Sequence, residues 1–412
     1  MNITHEVLPW ANPDFRRNPY PWYARLQREY PIYKENEHTY IVSRYEDYIE
    51  YVKHPAMSMV EPDWVKPHHW HVFLDTVLFY DPPKHTALRR HTNKWFTPKL
   101  VREWIKHTTD VTREALNFIE ADGYIEAHHH ICVVPTHITM CRVLGIAEDD
   151  IEIATLNSLK IVGMQTPAAT QADKDRAREG FDWLFSKCKS MIEEKRKSPG
   201  DGLLDAMLAL EASGDMTPEE VIQTLVLFYF SGAPNPAYVL ASILEHFARE
   251  PHLFALYRNE PESRQAMINE FIRLNPPEQS FTRYPTEEVE IRGVKIPAGS
   301  CIRFMTAAVN RDEAVFKRPN QFDHKRPQEA SQHVSFGIGV HACAGQVISR
   351  AEIEASLNVI AESFTSIELA EDPVTLHDDR IRNYLTLPLI FKKYQKFYCD
   401  VGSFLARRGR SG

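Results

Sequence analysis

The strongest constraint on the fold is a long run of helical pattern interrupted by residues that helices exclude. From Pro218 to Arg249 the chain reads as one apolar helical segment, yet its middle, FYFSGAPNPAYVL at Phe228 to Leu240, carries Pro234 and Pro236. A proline inside a helix deletes a backbone hydrogen bond and clashes with the carbonyl four residues back, at a cost of about 3 kcal/mol. The start of the segment is well marked: Thr217 can cap it, Pro218 suits the first position and Glu220 completes a capping box. Such a helix would span ~48 Å at ~1.5 Å per residue, enough to cross a whole domain. Near-continuous hydrophobicity in VIQTLVLFYF implies burial on most faces, where freed backbone groups need polar partners. Pro234 and Pro236 cannot donate to the carbonyls of Phe230 and Gly232, and Ala233 and Asn235, each preceding a proline, are pushed from the helical region. Local rules alone end the helix near Gly232 and start another around Pro236. The remainder of the sequence argues for one long helix with a widened, kinked turn.

The 412 residues suffice for a large core, and 27 prolines spread through many short connections, without a repeat or low-complexity linker, favour a single domain over 1–412 with peripheral tails at 1–17 and 400–412. Helical patterns dominate from Pro83 to Asn275, and strand-like alternation is confined to short pieces such as YIVSRY and VEIRGVKIPAG. The expected fold is mainly α with small β-sheets. A net charge of -8 and a sequence with 25% charged residues make nucleic acid an unfavourable partner. No stretch approaches the ~20 apolar residues of a membrane span, and MNITHEVLPWANPDFRRNPY lacks a signal-peptide core, so the expected setting is cytoplasmic.

Six cysteines without CxxC spacing do not suggest a disulfide framework. Five read as buried thiols. Cys343 differs, because SFGIGVHACAG from Ser335 to Gly345 surrounds it with glycines and a histidine, and a helical run QVISRAEIEASLNVIAESF follows. A helix amino terminus presents free amide protons that favour a thiolate. Glycines at 337, 339 and 345 allow close approach of a flat group. No second cysteine or histidine pair stands at zinc spacing, whereas a single thiolate suits haem iron. The histidine triplets His68, His69, His71 and His128, His129, His130 read as solvated or packed side chains, since neighbours in sequence point apart.

The order Phe336, Gly337, any, Gly339, any, His341, any, Cys343, any, Gly345 resembles the haem-binding loop of the cytochrome P450 family. The resemblance runs from about Asn18 to Pro388 and implies that family's fold, with haem b between the long central helix and the helix after the cysteine loop, and Cys343 as iron ligand. Glu270 and Arg273 in EFIR, with Arg326 in FDHKR, resemble the family's structural Glu-Arg-Arg network. DPPKHTALRR resembles the segment that reaches a haem propionate, giving that role to His85 and Arg89, and Arg283 and His341 look similar in kind.

In this family the middle of the distal helix usually reads Ala or Gly, Gly, any, acid, Thr. Here Ser231, Gly232, Ala233, Pro234 and Asn235 occupy those positions, so Pro234 replaces the acid and Asn235 the threonine. The family's helix is already distorted there, which explains how prolines are tolerated. Ser231, Gly232 and Asn235 are the candidate catalytic residues. Asn235 can donate a hydrogen bond or hold a water but is no acid.

The resemblance implies a monooxygenase that uses dioxygen, a ferredoxin and its NAD(P)H-dependent reductase, with Arg90, Lys94 and Lys99 as the candidate docking face. The aromatic segment VEPDWVKPHHWHVFLDTVLFY suits a bulky terpenoid or aromatic substrate. Trp70, Phe79, Phe228, Ala233, Gln279, Phe281 and Leu385 are the expected pocket residues. The altered relay leaves two alternatives open: a peroxide-driven or cyclising oxidase, and a non-catalytic haem-binding sensor or scaffold.

Overall fold

A computed structural model describes residues 6–65, 76–148, 151–162, 169–327, 332–376 and 381–393. The architecture is mainly helical with small sheets, as the sequence implies. Seven helices frame the site: α1 (Lys84–Trp95), α2 (Pro98–Ala115), α3 (Val134–Leu144), α4 (Pro218–Gly232), α5 (Pro234–Arg249), α6 (Arg264–Leu274) and α7 (Gln346–Ser363).

The largest sheet joins β1 (Ile32–Lys34), β2 (Thr39–Val42), β3 (Met57–Ser58), β4 (Phe281–Pro285) and β5 (Cys301–Phe304) in the order β1-β2-β5-β4-β3. β2 runs parallel to β5, with Tyr40 opposite Ile302. The alternation in VEIRGVKIPAG becomes a hairpin, Val289–Ile291 against Val294–Ile296. Its two-residue turn holds Arg292 at φ 49° and Gly293 at φ 79°, the left-handed pair that a tight hairpin demands. Tyr124–Glu126 and Ser366–Leu369 flank Pro388–Lys392 in a separate antiparallel sheet.

α4 starts as its residues dictate. The Thr217 hydroxyl accepts from the Glu220 amide at 3.1 Å while the Glu220 carboxylate accepts from the Thr217 amide at 2.9 Å. The one long helix of the sequence reading is divided at Ala233, where the hydrogen-bond ladder is interrupted although the backbone, at φ -94°, ψ -45°, stays in the right-handed helical region, and α5 resumes at Pro234. The physical reason is the pair of missing N–H groups. Between the two carbonyls so deprived, those of Phe230 and Gly232, the Ser231 carbonyl accepts from the Asn235 side-chain amide at 3.4 Å, and the ladder closes again with Ala237 N–H to Ala233 O at 3.3 Å.

The two half-helices bury into different cores. Val221, Leu225 and Tyr229 of α4 pack with Met140, Phe181 and Leu204, whereas Leu240, Ile243 and Phe247 of α5 pack with Phe254, Phe271 and Leu357. Residues expected as a peripheral tail also need correcting: Phe15 is fully buried between Trp10, Trp22 and Tyr23, so this amino-terminal stretch belongs to the core. Residues 400–412 lie outside the described residues. No helix among the described residues is long and apolar enough to cross a membrane.

Candidate functional site

The helix break and the cysteine loop face each other across a cavity of about 320 Å3. Phe228, Ser231, Gly232 and Asn235 form one wall, and Phe336, Gly337, His341, Cys343 and Gly345 form the other. Gly232 packs closely against α3: a Cβ there would stand 1.9 Å from the Met140 Cε, so that flexible side chain would have to swing aside.

The loop is shaped by two left-handed glycines, Gly337 at φ 64° and Gly339 at φ 77°, and is closed by the Cys343 amide donating to the Phe336 carbonyl at 2.8 Å. Cys343 falls just before α7, whose N-cap is Gly345. Its sulfur is exposed toward the cavity but enclosed by protein on its other sides, so burial pushes the thiol up. The amides of Gly345 and Gln346 and the guanidinium groups of Arg89 and Arg350 oppose that rise and favour the thiolate.

A ring of nitrogen donors surrounds the same cavity. Arg89 and Arg283 line it; Arg89 Nη2 donates to the Ala342 carbonyl and Arg283 Nη1 to the Thr282 carbonyl at 2.8 Å. His341 lines it too, its imidazole pulled down to about 3 by burial and then by His85, Arg283 and Arg89. His85 is buried beside it, ring centroids 4.1 Å apart, and neither of its ring nitrogens is hydrogen-bonded among the described residues. Burial is the main influence lowering the pKa of His85 and of both arginines. Cationic and orphaned donor groups around an apolar cavity with a thiol on its wall fit a flat apolar group that carries carboxylates and a thiolate-binding metal.

Beneath the loop, Glu270 of α6 is 4% exposed and accepts from Arg273 Nε at 2.7 Å, Arg273 Nη2 at 2.8 Å, Arg326 Nε at 2.9 Å and the Asp323 amide at 3.0 Å. Arg273, fully buried, also donates to the carbonyls of Asn310 and Pro319. The three residues therefore tie α6 to the segment that leads into the cysteine loop.

Of the expected pocket residues, Phe228 and Phe281 line this cavity, and Ala233 lines a second, smaller one. Trp70 lies outside the described residues. Phe79, Gln279 and Leu385 line neither: Gln279 is buried with its amide donated to the Pro276 carbonyl at 2.7 Å, and Leu385 is 46% exposed. In the histidine triplet at 128–130, His128 turns its Nε2 to Asn383 Oδ1 at 3.3 Å, while His129 and His130 meet edge to face at 4.9 Å and His130 stacks on Phe118.

Sequence reasoning missed two residues of α7, Arg350 and Glu352, whereas the segment from Glu278 to Thr282, expected at the substrate pocket, brings Glu278 and Phe281 to the large cavity. Arg350 stands with Cys343 and stacks on the Phe336 ring at 4.5 Å. Glu352 lines the cavity and burial raises its carboxyl to about 8; the Trp104 indole opposes the rise but makes no acceptable hydrogen bond with it. Helical spacing from Gly345 would have placed Glu352 on the cavity face.

A buried thiolate loop at a helix entry, facing a distorted helix across an apolar cavity ringed with cations, defines a haem-thiolate oxidase fold. The comparisons make this specific. The cytochrome P450 family model matches residues 159–388, and the chain belongs to the cytochrome P450 family as a monooxygenase. It is 26% identical to cytochrome P450 109 of Bacillus spizizenii over 90% of this chain and 89% of that protein. It is 28% identical to the vitamin D(3) 25-hydroxylase of Pseudonocardia autotrophica over 82% and 84%. Among solved structures, it superposes at TM-score 0.84 on CYP164A2 of Mycobacterium smegmatis, covering 93% of this chain and 98% of that one at 25% identity. It also superposes at TM-score 0.85 on P450BioI in complex with an acyl carrier protein, at 22% identity over 92% and 99%.

Proposed function

We propose that the protein inserts one oxygen atom of dioxygen into a bulky, apolar small molecule of terpenoid or aromatic class. The observation that carries this reading is the cavity itself, closed by Cys343 on one side and by the Ser231–Asn235 turn on the other, with Phe228 and Phe281 on its apolar wall. The group that fits the donor set is haem b, which when bound supplies the reductive activation of dioxygen.

The chain's own residues have separable tasks. Cys343 binds the iron as thiolate, favoured by the α7 amides and by Arg89 and Arg350. Arg89, Arg283, His85 and His341 hold the propionate carboxylates, exchanging hydration for charge-assisted hydrogen bonds. Phe228 and Phe281 exclude water and orient the substrate by apolar contact. The Asn235 amide spends one N–H on the Ser231 carbonyl and has a second with which to hold a water at the reacting side. Glu270, Arg273 and Arg326 keep the loop in place from below.

Electrons come from a ferredoxin and its NAD(P)H-dependent reductase in the cytoplasm, docking near Arg90, Lys94 and Lys99. Lys99 is already paired with Glu103 at 3.6 Å, so Arg90 and Lys94 carry more of the attraction. Titrating the ferric protein with terpenoids, aromatics, steroids and fatty acids tests the substrate class through the spin-state shift of the Soret band. A shift with terpenoids or aromatics is the expected result. A shift with fatty acids alone, or none across the panel with haem-thiolate intact, overturns it.

A further inference from the structure

The break at Ala233 has a second cavity behind it. This one measures about 90 Å3, and Ser231, Asn235 and Glu278 line both it and the large cavity. The two spaces thus adjoin at the turn where Pro234 stands, and Pro234 has neither an N–H nor a side chain that carries a proton.

The walls of the smaller space are mostly apolar but carry several polar groups. Thr136 and Ser158 bring hydroxyls, and Tyr229 meets His137 Nε2 at 3.0 Å. The volume is ample for ordered water, and the wall offers polar partners for it. Burial takes His137 down to about 4, so near neutral pH it is an uncharged partner of Tyr229 and not the acid.

Among the described residues shared by the two cavities, Glu278 is the one with a carboxyl group. Asn235 is not an acid, and its amide is directed to the Ser231 carbonyl. Glu352, the other carboxyl on the large cavity, does not line the smaller one. Glu278 is also well placed mechanically. Its backbone pairs with Ile381 in an isolated antiparallel bridge, and the Arg382 amide donates to the Pro277 carbonyl at 3.1 Å, so the carboxyl is held on a braced loop instead of the broken helix.

We propose that Glu278 passes protons across the helix break, drawing them from water in the smaller cavity. Monooxygenation consumes dioxygen, substrate R–H, two electrons and two protons, and yields R–OH and water. The electrons come from the reductase chain already required. For each proton, the Glu278 carboxyl releases one toward water at the Ser231–Asn235 turn and regains one from the water behind it, so the residue ends unchanged. The acid of this relay therefore sits on a loop, while the helix contributes only the opening.

The test uses the haem-loaded enzyme with a surrogate ferredoxin, its reductase, NADPH and air, and needs no identified organic substrate. Dioxygen leaves as hydrogen peroxide after two electrons and two protons and as water after four of each, so slower proton delivery at the reacting side shifts electrons from water to peroxide. In Glu278→Gln the share of NADPH electrons recovered as peroxide should rise at least threefold, with haem content and the reduced carbon monoxide spectrum unchanged, and Glu278→Asp should bring it back toward the parent. A crystal structure of the parent should show ordered water joining Glu278 to the smaller cavity. Ser158→Leu, which fills that cavity without touching Glu278, should raise peroxide in the same way, and decides the matter if Glu278→Gln fails to take up haem. An unchanged peroxide share in the variants, or a dry smaller cavity, overturns the proposal.

Discussion

Replacing Glu270 with alanine should cost a large part of the protein's stability although the residue is far from any reacting atom. Four donors converge on its carboxylate, and two of them belong to Arg273, which has no exposed surface. In Glu270→Ala the Arg273 guanidinium keeps its bonds to Asn310 O and Pro319 O, but its charge is left buried without a counterion. Arg326, whose side chain is 4% exposed, loses the same partner. Breaking a buried pair from one side costs about 3–5 kcal/mol, against a net stability of about 5–15 kcal/mol for a folded domain. Arg273→Met should cost a similar amount. The double variant should cost at least ~2 kcal/mol less than the sum, because the fully buried Arg273 charge is then gone and only Arg326 is left without its partner. Denaturant unfolding followed by far-ultraviolet circular dichroism, at matched haem content, measures all three. A loss below ~1 kcal/mol for Glu270→Ala, or additive losses, would refute the account of a charge-balanced tie between α6 and the segment before the cysteine loop.

Glu352 gives a pH-dependent expectation. Its folded carboxyl titrates at about 8 against an ordinary 4.5, because it is buried. The folded state therefore binds more protons than the unfolded one between those values, and the stability it permits falls as pH rises through that window. By pH 7 the cost is about 3 kcal/mol, so Glu352→Gln should be more stable than the parent by up to that amount at pH 7–8, with the gap closing toward pH 4.5. Melting temperatures across pH check this, and a gap that does not narrow on acidification counts against it. Cys343→Ala should abolish the long-wavelength Soret band of the reduced carbon monoxide complex, and a variant that keeps the band would exclude Cys343 as the iron ligand.

The parts of this molecule legible in its sequence are those fixed by local chemistry. The Thr217–Glu220 capping box, the Arg292–Gly293 hairpin turn and the glycine-rich loop around Cys343 each follow from neighbouring residues with few conformations open to them. The EFIR pair was readable through its three-residue spacing, but its burial was not, since that depends on Asn310, Pro319 and Asp323 folding over it. The helix break was half legible. Proline rules placed the damage correctly, but the extent, one residue instead of a widened turn, depended on the Asn235 side chain pairing with the Ser231 carbonyl across the break. The pocket segment beginning at Glu278 was legible, but the place of its carboxyl between the two cavities was not, since that depends on the bridge to Ile381. Leu385 and Gln279 were misplaced for the converse reason, since an apolar or amphipathic residue near the site in sequence can face solvent or its own loop in space.

The separate cores of α4 and α5 bear on how the molecule opens. A continuous helix would bind both halves into one cooperative unit, so that fluctuations on one side would be opposed by packing on the other. With the backbone ladder interrupted at Ala233, each half answers chiefly to its own neighbours. The α4 side, with Met140, Phe181 and Leu204, can loosen to admit a ligand while the α5 side, packed on Phe271 of α6 and Leu357 of α7, stays closed around the cysteine scaffold. In amide exchange the two halves should belong to different protection classes, with the seam at the turn. The prolines that damage the helix thereby let substrate entry and iron coordination draw on separate reserves of rigidity.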